Sequence, residues 1–224
     1  MESALLMMAF SFLPAVILMK VLDVLKDAWE KRRIVFPVTC RELAEALLRE
    51  NSLNYEVVCG GSRVPGRCDW KRRAIYLSYE SENRCLAAVF QAAHEVGHAF
   101  HGPMPVVRAL SLFWGAYLVW LLLCLWGGLA WSEGTWRLLL AVMACLFGVR
   151  IVDSWFDELR ATRYARNQLK KLVVGDTEKR ALQLHFAAYC LTHIVLPVSF
   201  SAAFLSGGRV FWCFGKLLGG SGIC

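Results

Sequence analysis

Long stretches without charge are the feature that most constrains this chain. The run from Leu110 to Trp131 contains no charged residue, and neither does the stretch between Arg180 and Arg209. A helix needs about 20 mainly apolar residues to cross a bilayer, and both runs supply them. Hydrophobic residues make up 57% of the chain and charged residues 19%, below the roughly 25% typical of soluble domains. The alternative is a soluble protein with an unusually apolar core, and the length of these runs argues against it.

Two further apolar runs are shorter. Ala4 to Met19 lacks basic residues before it and is followed by a basic cluster, which is typical of an uncleaved anchor rather than a signal peptide. Leu138 to Val149 is 12 residues long and spans only if the flanking Arg137 and Arg150 snorkel. With a last span from about Ala181 to Leu205, the sequence predicts about four transmembrane helices.

Lysine and arginine predict the orientation of these helices. Fourteen of them lie from Lys20 to Arg108, eight from Arg150 to Arg180, and only one in the turn 131–137. Cytoplasmic loops carry the excess of basic residues, so we expect the first two regions in the cytoplasm and the turn outside. The nine cysteines form no CxxC pair, and we interpret them as structural or incidental. The prediction is a multi-pass plasma-membrane protein.

The region between the first two spans reads as a small α+β domain. Thr39 is a good N-cap for a helix over "RELAEALLRENS". The segments 55–59 and 73–78 have strand character and are separated by the turn-rich "GGSRVPG", which predicts a short β-hairpin. Ser81 is the predicted cap of a long helix that ends at Gly102 and Pro103. The predicted fold class is therefore mainly α, a polytopic membrane protein carrying this α+β domain.

These predictions divide the chain into six segments. They are an N-terminal anchor (1–21), a cytoplasmic region with the long helix (22–104), a transmembrane hairpin (105–152), a cytoplasmic helix (153–180), a last span (181–206) and a C-terminal tail (207–224). The tail, with its aromatic residues, is expected to be an interfacial segment.

The long helix carries "HEVGH", residues 94–98. Positions four apart share a helix face, so His94 and His98 can hold one zinc ion at about 2.0–2.1 Å. Glu95 lies about 100° around the helix and can take a proton from a zinc-bound water as general base. Chance occurrence is the alternative, at a probability on the order of 1%. Gly97 weakens the helix but lets another segment approach the metal.

The third ligand must come from elsewhere in the chain. His101 shares the face of the pair but lies one turn further along, so we expect it to be a surface residue or a neighbour of a ligand. Asp153, Asp157 and Glu158 compete, and spacing does not choose among them. Two hydrophobic runs separate His98 from these acidic residues. For one of the acids to reach the same zinc ion as His98, either both runs cross the membrane or neither does.

The chain resembles the bacterial membrane-bound neutral zinc metallopeptidases, the YugP-like group of the gluzincins. The resemblance lies in "VTCRELAEALLREN", "CDWKRRAIYLSYESENRCLAAVFQAAHEVGHA", "ELRATRYA" and "RALQLHFAAYCLT". It implies that Glu158, which matches the family's E-x-x-A segment, is the third zinc ligand. It also places Thr162 where related proteins often have an aspartate that orients a zinc-bound histidine. The strand "RAIYLS" would be an edge strand that holds the substrate.

An oxyanion formed during hydrolysis needs a stabilising group, and His185 and His193 are the candidates outside the motif. Ordinary packing is the alternative for each. The expected function is zinc-dependent peptide hydrolysis at the cytoplasmic membrane surface, with one Zn²⁺ per chain. The expected partners are the lipid bilayer and a peptide or protein substrate, with membrane proteins among the candidates and no nucleic acid. A non-catalytic zinc-binding membrane scaffold and an intramembrane protease are the alternatives, and the sequence does not give the oligomeric state.

Overall fold

The computed structural model describes residues 34–60, 66–102 and 117–220, together with scattered positions between 6 and 24. The chain divides into two compact units. One comprises Met1–Lys20, Pro105–Ser154 and His193–Cys224, and the other comprises Val21–Met104 and Trp155–Thr192. The architecture is mainly helical with one small sheet. Half of the predicted first span, Ala4–Met19, falls outside the described residues.

The first helix of the second unit, α1, covers Cys40–Glu50 and begins as predicted. Thr39 is its N-cap: the Thr39 side chain accepts from the Glu42 backbone N–H, and the Glu42 carboxylate accepts from the Thr39 N–H at 2.8 Å. This reciprocal pair satisfies two amides that the first turn leaves without helical partners. The helix ends at Asn51, whose side-chain amide donates to Leu47 O.

The sheet has three strands rather than the two of the predicted hairpin. Strands β1 (Glu56–Cys59), β2 (Arg67–Asp69) and β3 (Ala74–Leu77) lie in the order β1-β3-β2. The two predicted strands, β1 and β3, pair in parallel, so they cannot form a hairpin. The hairpin is formed by β2 and β3, which pair antiparallel. The expectation that "RAIYLS" is an edge strand is also wrong, because β3 is central and β2 forms an edge.

The motif-bearing helix, α2, covers Leu86–His101 and starts later than predicted. Its N-cap is Cys85 rather than Ser81. Residues 83–85 are instead held by the segment before α1: Phe36 N donates to Arg84 O, Cys40 N donates to Asn83 O, and Val35 forms a β-bridge with Cys85. These long-range bonds keep the segment extended, which a local capping signal does not reveal. The helix ends at Gly102 as predicted, with φ of 68°.

One hydrophobic core surrounds α2. Its apolar residues pack with those of α1, β1, β3 and the parts of later helices that belong to the second unit. Phe90, Val89 and Val96 are fully buried. Because α2 is buried on almost every side, its polar residues His94, Glu95 and His98 are buried with it.

Three further helices follow: α3 (Tyr117–Ala130), α4 (Glu133–Lys170) and α5 (Asp176–Leu218). By length and composition, α4 and α5 are apolar enough to cross a membrane, and α3 is a shorter apolar helix. The described residues thus contain two candidate spans, not four. The third hydrophobic run is not a separate short helix, because it continues without a break into the basic helix after it. The last span likewise runs into the predicted tail as far as Leu218.

Candidate metal centre

His94 and His98 present their ring nitrogens to each other from adjacent turns of α2. The two Nε2 atoms lie 3.1 Å apart, and the ring planes are perpendicular. Both side chains are buried. Two imidazole nitrogens at this distance need either a shared proton or a cation between them, since two lone pairs would repel each other.

The third group is the carboxylate of Glu158 on α4. Its Oε2 lies 3.1 Å from His94 Nε2 and 3.4 Å from His98 Nε2. Two atoms that both bind a tetrahedral zinc ion at about 2.0–2.1 Å are about 3.3 Å apart. The three atoms therefore have the spacing expected for one face of a zinc tetrahedron, and the donor set of two imidazoles and a carboxylate is one that zinc uses in catalytic sites. His94, His98 and Glu158 could hold a metal ion, and their spacing fits zinc.

Gly97 allows α4 to come close enough to complete this group. A Cβ atom at position 97 would lie 2.9 Å from both Ala161 Cα and Ala161 O, and 3.2 Å from Tyr164 Cβ. These distances leave no room for a side chain, and the nearest atoms belong to backbone that cannot rotate away. Ala161 is fully buried one turn after Glu158. The predicted close approach of another segment at Gly97 is confirmed.

Comparison with known proteins supports the same chemistry. A family model described as "Putative neutral zinc metallopeptidase" matches residues 3–195. The chain belongs to this family. No curated protein and no solved structure matches the chain. The match covers the residues of both α2 and α4 that could hold a metal ion, and the family resemblance predicted from the sequence is confirmed.

Each histidine of the pair has a partner at its other ring nitrogen. Thr162 Oγ1 lies 3.3 Å from His94 Nδ1, and Asp157 Oδ2 lies 3.3 Å from His98 Nδ1. Both partners are buried and both lie on α4, next to the Glu158 turn. Such partners fix the ring orientation and the tautomer that leaves Nε2 available to a metal.

The carboxylates give the centre a strongly negative environment. Burial alone would lower the pKa of His98, but the carboxylates of Asp157 and Glu158 outweigh it and raise that pKa to about 10. Burial alone would raise the pKa of Glu158, but contacts with His94 and His98 hold it well below its usual value. The arrangement thus favours positive charge between these groups, whether a proton or a metal cation.

Glu95 is buried beside the metal-binding group without belonging to it. Burial is the main cause that raises the pKa of its carboxyl group to about 8, and the nearby Glu158 adds to the effect. The backbone of Cys68, on β2, lies near the Glu95 carboxylate and partly offsets this rise in its pKa. The strand β2 therefore lies directly against the side of α2 that carries Glu95.

The remaining predicted residues lie outside the metal-binding group. His101 is exposed at the end of α2, and its ring contacts Phe100 and Tyr164. The ring of His185 packs edge-on against Phe90 at 4.6 Å. His193 falls in the other compact unit.

Two further residues adjoin the centre: Tyr189 was only a weak oxyanion candidate from the sequence, and Trp70 was not identified from it. The Trp70 indole N–H donates to His98 O at 3.2 Å, and the Tyr189 ring lies 4.9 Å from the His94 ring. Asp157 was weighed only as a competing ligand, whereas it contacts the back of His98. The sequence signal for this contact was that Asp157 directly precedes Glu158. Side chains of adjacent residues on a helix can approach one imidazole from two sides.

Proposed function

We propose that this protein is a membrane-embedded zinc metalloendopeptidase that hydrolyses peptide bonds at the cytoplasmic membrane surface. One zinc ion per chain would be held by His94, His98 and Glu158, with Glu95 as general base. The observation that carries the proposal is the tetrahedral spacing of the three ligand atoms, with Glu95 buried on the same helix.

The roles of the chain's own groups follow from their positions. A zinc ion bound there would act as a Lewis acid and make water a nucleophile near neutral pH. Glu95, adjacent to His94 in sequence, takes the proton from the attacking water and delivers it to the leaving amine. Asp157 and Thr162 hold the two imidazoles in place while this happens.

The edge strand β2 is the best placed element to hold a substrate backbone. It is an edge of the sheet, packs on α2, and lies near Glu95 at the Cys68 backbone. An extended peptide can add to such an edge as a further strand, with backbone hydrogen bonds giving affinity. We propose β2 for this role, in place of the strand expected from the sequence.

The exposure of α4 supports a membrane location. The most apolar 18-residue window of α4 has none of its residues buried in the described part of the chain. The core helix of a soluble protein would be mostly buried, so an exposed apolar surface of this length favours contact with lipid. The positive-inside distribution of Lys and Arg supports a cytoplasmic site.

Two other functions compete with this proposal. A non-catalytic zinc scaffold needs the three ligands but has no use for a buried glutamate at position 95. An intramembrane protease would place α2 in lipid, whereas the apolar faces of α2 pack against α1 and the sheet. Each feature favours a peptidase that works outside the hydrocarbon core.

Substitution of Glu95 separates catalysis from metal binding. The variant Glu95→Gln should keep one zinc per chain and lower kcat for a soluble peptide by about 10²–10⁴-fold, the usual contribution of a general base. The exposed Glu82→Gln is the matched control and should change neither quantity. Zinc content and casein or peptide cleavage are measured on the same detergent-solubilised samples. Full activity of the Glu95→Gln variant would show that Glu95 is not the general base.

The choice of substrate tests the location of the reaction. Solubilised protein should cleave a soluble reporter that has no apolar segment, because the site lies in the packed α+β unit. Cleavage restricted to transmembrane peptides would instead support the intramembrane alternative. Zinc binding without cleavage of either substrate would support the scaffold.

A further inference from the structure

The turn between β2 and β3 carries three consecutive basic residues. Lys71, Arg72 and Arg73, here called the basic tip, are all exposed. From Arg67 to Arg73 the hairpin contains four basic residues and one acidic residue, Asp69. The segment before the other end of α2 contains Glu80, Glu82 and Arg84 and is slightly acidic. Positive charge is therefore concentrated at one end of the metal-binding helix.

The fold holds the basic tip in one shape. Asp69 Oδ1 accepts from the backbone N–H groups of Lys71 and Arg72 at 3.1 and 3.0 Å. Arg73 has a φ of 49°, a left-handed conformation that closes the turn. The Arg73 carbonyl accepts from Glu56 N at 2.9 Å, which ties the turn to the start of β1. The three side chains thus project from a fixed backbone.

Trp70 attaches the basic tip to the last turns of α2. Its indole N–H donates to His98 O at 3.2 Å, and its ring lies edge-on to the His98 imidazole at 6.1 Å. The basic tip therefore lies beside the C-terminal end of α2, which is the end that precedes the uncharged run in the sequence. It also adjoins β2, the strand whose Cys68 backbone lies near Glu95.

The chain length after α2 keeps this end near a bilayer. After His101, seven residues (102–108) precede the uncharged run that begins at Ala109. Seven residues span at most about 25 Å when fully extended. If the run lies in the membrane, the end of α2 lies within that distance of the hydrocarbon surface, and the tip adjoins that end of the helix. The headgroup layer falls within the same distance of the hydrocarbon surface.

We infer that the basic tip docks on anionic phospholipid headgroups of the cytoplasmic leaflet and holds the metal centre and β2 at a fixed height above the bilayer. Lysine and arginine bind lipid phosphates, and each contributes about a fivefold preference for an anionic surface. Three such residues give roughly a hundredfold preference, lost at high salt. This inference rests on the proposed membrane location, but it does not depend on hydrolysis. Its consequence is that peptide segments close to the membrane surface would be the favoured substrates.

Amide hydrogen exchange of the β2–β3 hairpin tests the inference on the full chain. The protein is placed in nanodiscs of phosphatidylcholine alone or with about 30% phosphatidylglycerol. We expect the amides of residues 67–73 to exchange at least tenfold more slowly in the anionic nanodiscs, an effect that the roughly hundredfold preference above allows. The difference should vanish at about 1 M salt, where screening is nearly complete.

A charge-removal variant and a matched control sharpen the test. Lys71→Gln with Arg72→Gln and Arg73→Asn removes the basic tip, with Asn chosen because it tolerates the left-handed conformation. Lys170→Gln with Lys171→Gln and Arg180→Gln removes the same charge from other exposed positions. The first variant should lose the slow exchange in anionic nanodiscs and keep its zinc, whereas the control should retain both.

Three results would overturn the inference. They are equal exchange in the two lipid compositions, protection that survives removal of the basic tip, and protection by soluble polyglutamate but not by anionic lipid. The last would identify acidic protein segments as the partner. Zinc content, peptide cleavage and resistance to carbonate extraction are measured separately, so loss of the proposed function or of the membrane location is distinguishable from loss of lipid docking.

Discussion

At the scale of single residues, the two histidines of the centre are held by chemically different partners. The carboxylate of Asp157 is close to His98, and the hydroxyl of Thr162 is close to His94. A carboxylate makes an imidazole a stronger ligand by adding negative charge, whereas a hydroxyl mainly orients the ring. The two histidines should therefore respond differently when their partners are changed.

Asp157→Asn tests the contribution of charge at His98. The amide keeps the size and an acceptor oxygen but removes the negative charge, so zinc affinity should fall about 10–100-fold. Competition with a chromophoric chelator measures the change. The exposed Asp176→Asn is the control and should bind zinc as tightly as the unmodified protein. Unchanged affinity in Asp157→Asn would show that the carboxylate does not act on the metal site.

Thr162→Val tests orientation at His94. Valine keeps the shape but leaves His94 Nδ1 without the hydroxyl, so we expect weaker zinc binding and a lower kcat, each by about tenfold or more. Thr162→Ser restores the hydroxyl and should recover most of both, although it leaves a small cavity. If the serine variant is as impaired as the valine variant, Thr162 acts through packing rather than through its hydroxyl.

At the scale of secondary structure elements, the contact between α2 and α4 decides which acid completes the centre. Asp153, Asp157 and Glu158 lie within six residues of each other, and local sequence does not determine how α4 is rotated about its axis. The close approach of Gly97 to Ala161 fixes that rotation. It directs Glu158 to both imidazoles and Asp157 to the back of His98.

Gly97→Ala tests this contact directly. The added methyl would meet Ala161 backbone at 2.9 Å, so α4 must move and Glu158 must leave its position. Loss of zinc is expected despite an unaltered HExxH motif, together with lower stability of roughly 1–3 kcal/mol from overpacking. Gly148→Ala is the matched control, since a Cβ there meets nothing within 4 Å. Full zinc occupancy in Gly97→Ala would show that α4 does not need this close approach.

The sequence predicted local features well and long-range pairing poorly. The HEVGH spacing and the Thr39 capping signal depend on residues within one or two helical turns, and both are found as expected. The strand order and the start of α2 depend on bonds to distant segments, and both predictions were wrong. The prediction that Glu158 is the third ligand came from the family resemblance. The residues near Glu158 alone do not show that α4 approaches Gly97.

At the scale of the whole molecule, the centre restricts how the chain can cross a membrane. His98 and Glu158 are separated by the apolar helix α3 and by the apolar part of α4. Their side chains lie 3.4 Å apart, so the chain must return to the side from which it left. The number of crossings between them is therefore even. Since the run 109–132 is uncharged and the apolar window of α4 is exposed, two crossings are favoured over none.

Cysteine labelling on intact cells distinguishes two crossings from none. Gly134→Cys lies at the exposed start of α4 and Lys170→Cys at its exposed end. A membrane-impermeant maleimide should label Gly134→Cys on intact cells and Lys170→Cys only after permeabilisation, because the turn 131–137 has the lower share of basic residues. The unmodified protein, with its nine native cysteines, gives the background. Labelling of both positions from the same side would mean that the hairpin does not cross, and the metal centre would then lie on a protein attached to the membrane by other segments.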